Sequence, residues 1–215
     1  MKIALIGGTG FVGSALLAEL LARGHQVTAL ARNPGKYTPQ AGLTVVTADV
    51  QDATQVAKAV AGHDAVANAY NPGWTVPDIH DQFLRGTRAI IDGVKQAGGK
   101  ALLLTVGGAG SLFIAPGVQL VDTPEFPAEW KAGATAAREA LDIFRKETAL
   151  TWTFVSPPVM LAPGERTGRY RVGADEVLMN GDAPAGISVT DLAVAIVDEL
   201  EKPQHTGKRF TVASA

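Results

Sequence analysis

Seven residues near the amino terminus, Gly7-Gly8-Thr9-Gly10-Phe11-Val12-Gly13, constrain the fold more than any other segment. They follow a short apolar run, Ile3-Ala4-Leu5-Ile6, and lead into a helix-like stretch, Phe11 to Arg23, that Gly24 is placed to stop. Strand, glycine turn and helix in that order turn a common glycine pattern into a dinucleotide-site hypothesis. Gly7 permits the tight turn, Gly10 lets backbone approach a pyrophosphate, and Gly13 lets the helix sit close to the strand. The helix N-terminus then offers unpaired N–H groups and a partial positive charge to phosphates. Without that context, the same residues would suit an ordinary glycine-rich turn.

The alternation that begins there continues to about residue 155. Ile3–Ile6, Gln26–Leu30, Thr44–Thr47, Ala65–Ala69, Ala101–Val106 and Thr151–Val155 read as strands. Helices are predicted at 11–23, 53–61, 78–97 and 132–147, with a last one at 190–201 capped by Ser188-Val189-Thr190-Asp191. Arg209–Val212 reads as a final edge strand. Such alternation predicts an α/β fold, a doubly wound parallel sheet with helices on both faces and right-handed crossovers. Residues 107–128 are rich in Gly and Pro, and 157–189 carry little periodicity. Both follow predicted strands, so they are expected at the carboxyl edge of the sheet as walls of a substrate pocket, or as plain surface loops. With 215 residues and no repeat or linker, a single domain with no separate second domain is expected.

Composition excludes several functions. The net charge is −2, from 19 basic and 21 acidic residues spread along the chain, so no basic stripe marks a nucleic-acid partner. No apolar run approaches the ~18–20 residues that span a bilayer, and four apolar residues before the glycines do not fit a signal peptide. The absence of cysteine removes disulfide and thiol chemistry and suits a reducing cytoplasm. His25, His63, His80 and His205 stand too far apart to form a metal-spaced pair.

The dinucleotide can be read further. An NAD site usually places an acid ~20 residues past the glycines, on the ribose 2′-hydroxyl. Here Arg32 lies 19 residues beyond Gly13, and no Asp or Glu occurs from Leu20 through Ala48. A 2′-phosphate is repelled by a carboxylate and held by a guanidinium fork. NADP(H) is therefore the preferred cofactor and NAD(H) the secondary one, with Arg32 as discriminator and Asn33 or Lys36 assisting, unless Arg32 is simply a solvated charge. Asp49-Val50 is placed to meet the adenine, or Asp49 builds a turn. Asn68-Ala69-Tyr70 is placed beneath the ribose and nicotinamide.

The glycine turn resembles that of the atypical short-chain dehydrogenase/reductase superfamily. Later segments resemble one branch of it, the bacterial proteins named as NADH-flavin reductases, related to the NmrA-like and biliverdin-reductase-B-like proteins. The resemblance rests on Thr105-Val106-Gly107-Gly108-Ala109-Gly110-Ser111-Leu112, Val121-Asp122-Thr123-Pro124-Glu125-Phe126-Pro127 and Trp152-Thr153-Phe154-Val155-Ser156-Pro157. Pro163 to Arg171 and Asp198 to His205 carry it to nearly the whole chain. It implies a Rossmann-like fold with Gly7, Thr9, Gly10, Phe11 and Val12 along the pyrophosphate and Arg32 at the adenosine phosphate. It also implies Thr105 near the nicotinamide, and Ser156, Pro157 and Pro158 over its carboxamide. Biliverdin-reductase-B-like proteins carry a His after a comparable Pro-Pro pair, where this chain has Val159.

The superfamily's usual Tyr-x-x-x-Lys pair is missing, since Tyr37, Tyr70 and Tyr170 are followed four residues on by Ala41, Trp74 and Ala174. That argues against alcohol–ketone interconversion and epimerisation, which move a proton at the reacting carbon. Reduction of a planar acceptor needs mainly stacking and orientation, ~3–3.5 Å between reacting atoms. Thr105, Ser111 and Lys131 are the candidate catalytic residues; Lys131 reads equally as an exposed helix-terminal lysine. Trp74, Phe113 and Trp130 are candidate platforms or core residues, and Ser111 and Arg166 candidate hydrogen-bond donors. The expectation is hydride transfer from NADPH to a flavin or quinone, with flavin as substrate rather than prosthetic group. A non-catalytic redox sensor is the alternative. A monomer or weak homodimer is expected.

Overall fold

The computed structural model describes residues 1–215. The first half alternates β1 (Lys2–Ile6), α1 (Phe11–Ala22), β2 (Gln26–Ala31), β3 (Leu43–Thr47), α2 (Ala53–Val60), β4 (Ala65–Asn68), α3 (Ile79–Gln96) and β5 (Leu102–Val106). The second half contains the hairpin β6 (Phe113–Ala115) and β7 (Val118–Gln119), then α4 (Ala128–Arg145) and β8 (Trp152–Ser156). Short strands follow: β9 (Met160–Ala162), β10 (Tyr170–Gly173), β11 (Met179–Asn180), β12 (Ala183–Pro184) and β13 (Gly186–Ser188). The chain ends with α5 (Val189–Glu201) and β14 (Lys208–Ser214).

Eight strands form one sheet in the order β10-β14-β8-β5-β4-β1-β2-β3, and every neighbouring pair is parallel except β10 with β14. Alternate residues of β1 feed opposite faces. Ile3 and Leu5 join the core under α1 and α5, while Ala4 and Ile6 join the core under α2, α3 and α4. Burial on both faces explains why these strands are apolar runs rather than alternating ones. Phe144 of α4 meets Trp152 and Phe154 of β8 at centroid distances of 5.6 and 5.8 Å, anchoring that helix on the sheet. No helix is long and apolar enough to cross a membrane.

The chain runs outward from β1 through β2 to β3, then crosses back so that β4 lies on the other side of β1. This reversal opens a crevice at the carboxyl ends of β1 and β4, where open α/β sheets bind ligands. The glycine turn after β1 sits in it.

Three details depart from expectation. β14 is an interior strand, parallel to β8 and covered on its other side by β10, so the open edge is Tyr170–Gly173 instead. Sequence periodicity misses β10 because half-buried ends around two exposed residues give no two-residue alternation to read. Helix α4 starts at Ala128, four residues before its predicted start, because its first turn is exposed and carries no apolar stripe. By contrast, the α5 cap forms as predicted, with the Asp191 N–H donating to Ser188 Oγ at 3.0 Å.

Candidate active site

The glycine turn is locked by backbone contact. Gly7 has φ +79°, and a Cβ there would lie 2.3 Å from the Ala69 carbonyl oxygen at the end of β4. A Cβ on Gly13 would lie 2.0 Å from the Gly7 carbonyl oxygen, so α1 can approach β1 only through a glycine. Gly10, in an extended conformation, occupies the N-cap and supplies no side-chain cap. Its own N–H donates to Gly7 O at 3.0 Å and its carbonyl accepts from Ser14 at 2.8 Å, while the N–H groups of Phe11, Val12 and Gly13 find no protein acceptor. Thr9, Gly10 and Phe11 are exposed beside them. An uncapped helix N-terminus at the sheet's switch point fits a diphosphate. Tyr37, which sequence reasoning left out, closes the turn from above, its hydroxyl 2.7 Å from a Cβ built on Gly8. Burial pushes this phenol above its ordinary pKa. Its position just past Lys36 was the only signal available.

The residues expected to meet the adenosine lie at the ends of β2, β3 and β4. Arg32 follows β2, exposed and without any protein ion pair or hydrogen bond. Asn33 is occupied otherwise, its Oδ1 accepting from Gly35 N–H at 3.2 Å to cap a single 3-10 turn. Lys36 is exposed at the end of that turn. Asp49 builds a turn, accepting from Gln51 N–H at 3.0 Å, and its own N–H is taken by Gln55 Oε1 at 2.9 Å. The adjacent Val50 is buried, with its N–H bonded to no protein group.

Tyr70 connects this region to α3. Its hydroxyl accepts from Gln51 Nε2 at 3.1 Å and donates to the Gln82 carbonyl at 3.3 Å, and its ring lies against Gly86, where a Cβ would come within 2.3 Å. Burial raises the Tyr70 pKa; the Gln51 hydrogen bond and the charges of Arg32 and Arg85 oppose that rise, and Asp49 adds to it. Arg32, Asp49 and Arg85 are thus all close enough for the phenol to feel them. Arg85, on the first half of α3, donates to Gln51 Oε1 at 3.4 Å. It is a second guanidinium that sequence spacing could not find, because it arrives from another crossover.

Among the residues expected near the nicotinamide, the Tyr70 N–H donates to Asn68 Oδ1 at 3.0 Å, and Asn68 Nδ2 donates to Thr105 Oγ1 at 3.3 Å. Thr105 is 2% exposed. Ala69 is fixed by its N–H bond to Ile6 O. Ser156, Pro157 and Pro158 are buried at the end of β8. The Ser156 hydroxyl has no hydrogen-bond partner, a group of the kind that a polar ligand satisfies. Trp74 is 55% exposed yet rests on α4, within 2.7 Å of a Cβ built on Gly133, and Trp130 is exposed one turn earlier. Lys131 is exposed beside it, outside the buried stripe of α4 and free of ion pairs.

The two aperiodic stretches meet in a groove of about 670 Å³ walled by Phe113, Leu120, Val159, Val177 and Met179. Phe113 exchanges backbone hydrogen bonds with this second wall, donating to Asp175 O at 2.8 Å and accepting from Val177 at 2.9 Å. Ser111 does not face the groove. It is 1% exposed, and its hydroxyl and carbonyl accept from Arg209 Nη1 at 3.0 and 3.2 Å. Arg209 also binds the Asp175 carboxylate, so Ser111 is a wall-building residue rather than a donor to substrate. Arg166 is likewise committed, a bidentate partner of buried Glu19 at 2.7 and 2.8 Å. Both residues read as donors in sequence because their partners lie 98 and 147 positions away.

A family model described as NAD(P)H-binding matches residues 7–203. A crystal structure from Bacteroides thetaiotaomicron, named as a proposed epimerase, is 46% identical with a TM-score of 0.92, covering 99% of this chain and 96% of that one. A Burkholderia pseudomallei structure, named as a proposed exported protein, is 44% identical with a TM-score of 0.89, covering 99% of both chains. A Streptococcus pneumoniae structure, named as a proposed NADH-flavin reductase, is 34% identical with a TM-score of 0.88 over 100% of both chains.

Proposed function

Because this chain belongs to the NAD(P)H-binding family, we propose that it is a reductase that takes NADPH in preference to NADH and passes its electrons to a planar acceptor, a flavin or a quinone. The observation that carries this reading is the uncapped N-terminus of α1 at the switch point, on the same sheet edge as the apolar groove. A bound reduced nicotinamide would supply the hydride. The protein's part is to hold the diphosphate on the N–H groups of Phe11, Val12 and Gly13, to fix the adenosine beside Arg32, and to orient the acceptor.

No Tyr–Lys pair is present, and Thr105 is buried with Asn68, so the chain offers no evident proton relay for epimerisation or ketone reduction. The proton that accompanies the hydride then comes from solvent. That same absence favours a second reading, a non-catalytic NADP(H)-binding sensor that passes its state to a partner protein. Steady-state NADPH oxidation with FMN, FAD, riboflavin and a panel of quinones separates the two. Saturable turnover with any acceptor removes the sensor; tight NADPH binding without turnover removes the reductase. The lack of cysteine fits action in a reducing compartment, the cytoplasm, as a monomer or weak homodimer.

A further inference from the structure

The groove between the β6–β7 hairpin and the β11–β12 hairpin has a one-sided chemistry. Its wall is apolar through Phe113, Ile114, Leu120, Val159, Val177 and Met179, and the sole charged lining group is a carboxylate, Glu176. No basic residue lines it. The guanidiniums that pair with segments flanking the groove are spent elsewhere. The Arg209 side chain is 1% exposed and holds Asp175 and Ser111, Arg171 donates to the carbonyls of Ser214 and Met179, and Arg145 pairs with Asp142 and Asp175. A phosphate entering here would lose hydration, find no cation and meet a like charge. The volume lies within the ~300–1,000 Å³ typical of small-molecule sites.

Resting on the reductase reading above, we infer that this groove is the acceptor subsite and that it selects neutral planar acceptors, uncharged quinones or the bare flavin ring system, against phosphorylated flavins. In the step it serves, the C4–H bond of NADPH breaks and its hydride passes to the acceptor, which takes a proton from solvent. NADPH is oxidised to NADP+, and the acceptor is reduced by two electrons to the hydroquinone or dihydroflavin.

Riboflavin and FMN share one ring system and differ by the phosphate, so they isolate the charge. Binding of each to the full chain is measured by quenching of flavin fluorescence, with and without saturating NADP+, and menadione serves as a neutral competitor. Riboflavin should bind about tenfold more tightly than FMN, with kcat/KM following the same order and menadione displacing it. Glu176→Lys should bring the two flavins to near parity, and Glu176→Gln should narrow the gap part of the way. Binding of FMN as tight as that of riboflavin would overturn the inference, as would no binding of any neutral probe or a ratio indifferent to Glu176→Lys. Calorimetry with NADP+ alone tests the underlying reading separately: a protein that binds no NADP+ loses the reductase assignment while its flavin preference is still measured.

Discussion

Single atoms decide much at this site. Gly13 and the Gly7 carbonyl are so close that a methyl group has no room, and the obstacle is backbone, which cannot swing aside. Gly13→Ala should therefore destabilise the fold by about 1–3 kcal/mol, read as a lower urea midpoint, and should weaken dinucleotide binding by tilting α1. Arg32 and Arg85 act at the same scale. Both are exposed guanidiniums whose charges oppose the burial-raised pKa of Tyr70, one following β2 and one on α3. Substituting Arg32 by alanine should weaken NADPH by about 10- to 100-fold and leave NADH nearly unchanged, the value of a charge-assisted contact. Equal loss of both cofactors, or no loss, would remove the assignment. Arg85→Ala should show the same asymmetry by calorimetry.

At the scale of elements, the groove depends on an ion pair whose guanidinium is buried and whose carboxylate is half-exposed. Arg209 on β14 ties the loop before β6 to the segment before β11 through Ser111 and Asp175. Arg209→Ala removes a hydrogen-bond donor from the Ser111 hydroxyl and leaves Asp175 only its longer contact with Arg145, while the Ser111 carbonyl keeps Gln119; because the carboxylate is half-exposed, the loss should be about 1–3 kcal/mol. Limited proteolysis should then cut first within 107–128 and 157–189, while the glycine turn keeps its binding. A second tie joins α1 to α5: Arg23 meets Glu19, Asp198 and Glu201, and the Tyr170 hydroxyl donates to Asp198 at 2.6 Å. These contacts give the Pro163–Arg171 and Asp198–His205 stretches a structural role. They hold β10 and the preceding segment against two helices, on the face opposite α3 and α4.

At the scale of the whole molecule, titration should bound stability from two sides. Hydrogen bonds that His80 donates to the carboxylates of Asp81 and Glu139 raise its pKa, so its contribution is complete below the ordinary histidine value of ~6.5 and fades as pH climbs through the folded value. The hydrogen bond from Arg166 lowers the Glu19 pKa; at Asp191 burial opposes, but the bonds from Thr167 and Gly168 prevail. Both carboxylates stabilise the fold above their ordinary values of ~4 and lose that effect as pH falls through lower folded ones. The melting temperature should peak between these limbs, and His80→Ala should flatten the alkaline limb alone. A curve with His80→Ala unchanged would show that the α3–α4 contact contributes nothing.

The parallel sheet, its helices and the glycine turn were legible in the chain because each rests on local spacing. Apolar runs bounded by turns, a helical period, and a glycine where a Cβ meets backbone all lie within a few neighbours of one another. The reading of Arg32 rests on the same local spacing, its distance from Gly13, and the structure leaves its guanidinium exposed. Tertiary structure alone decided which side chains were still free. Ser111 and Arg166 were taken by Arg209 and Glu19 from remote segments, Arg85 came to Gln51 from α3, and β14 acquired an unforeseen neighbour in β10. A hydrogen-bond partner a hundred residues away leaves no periodic trace, so the availability of a polar group is a property of the packed chain and not of its order.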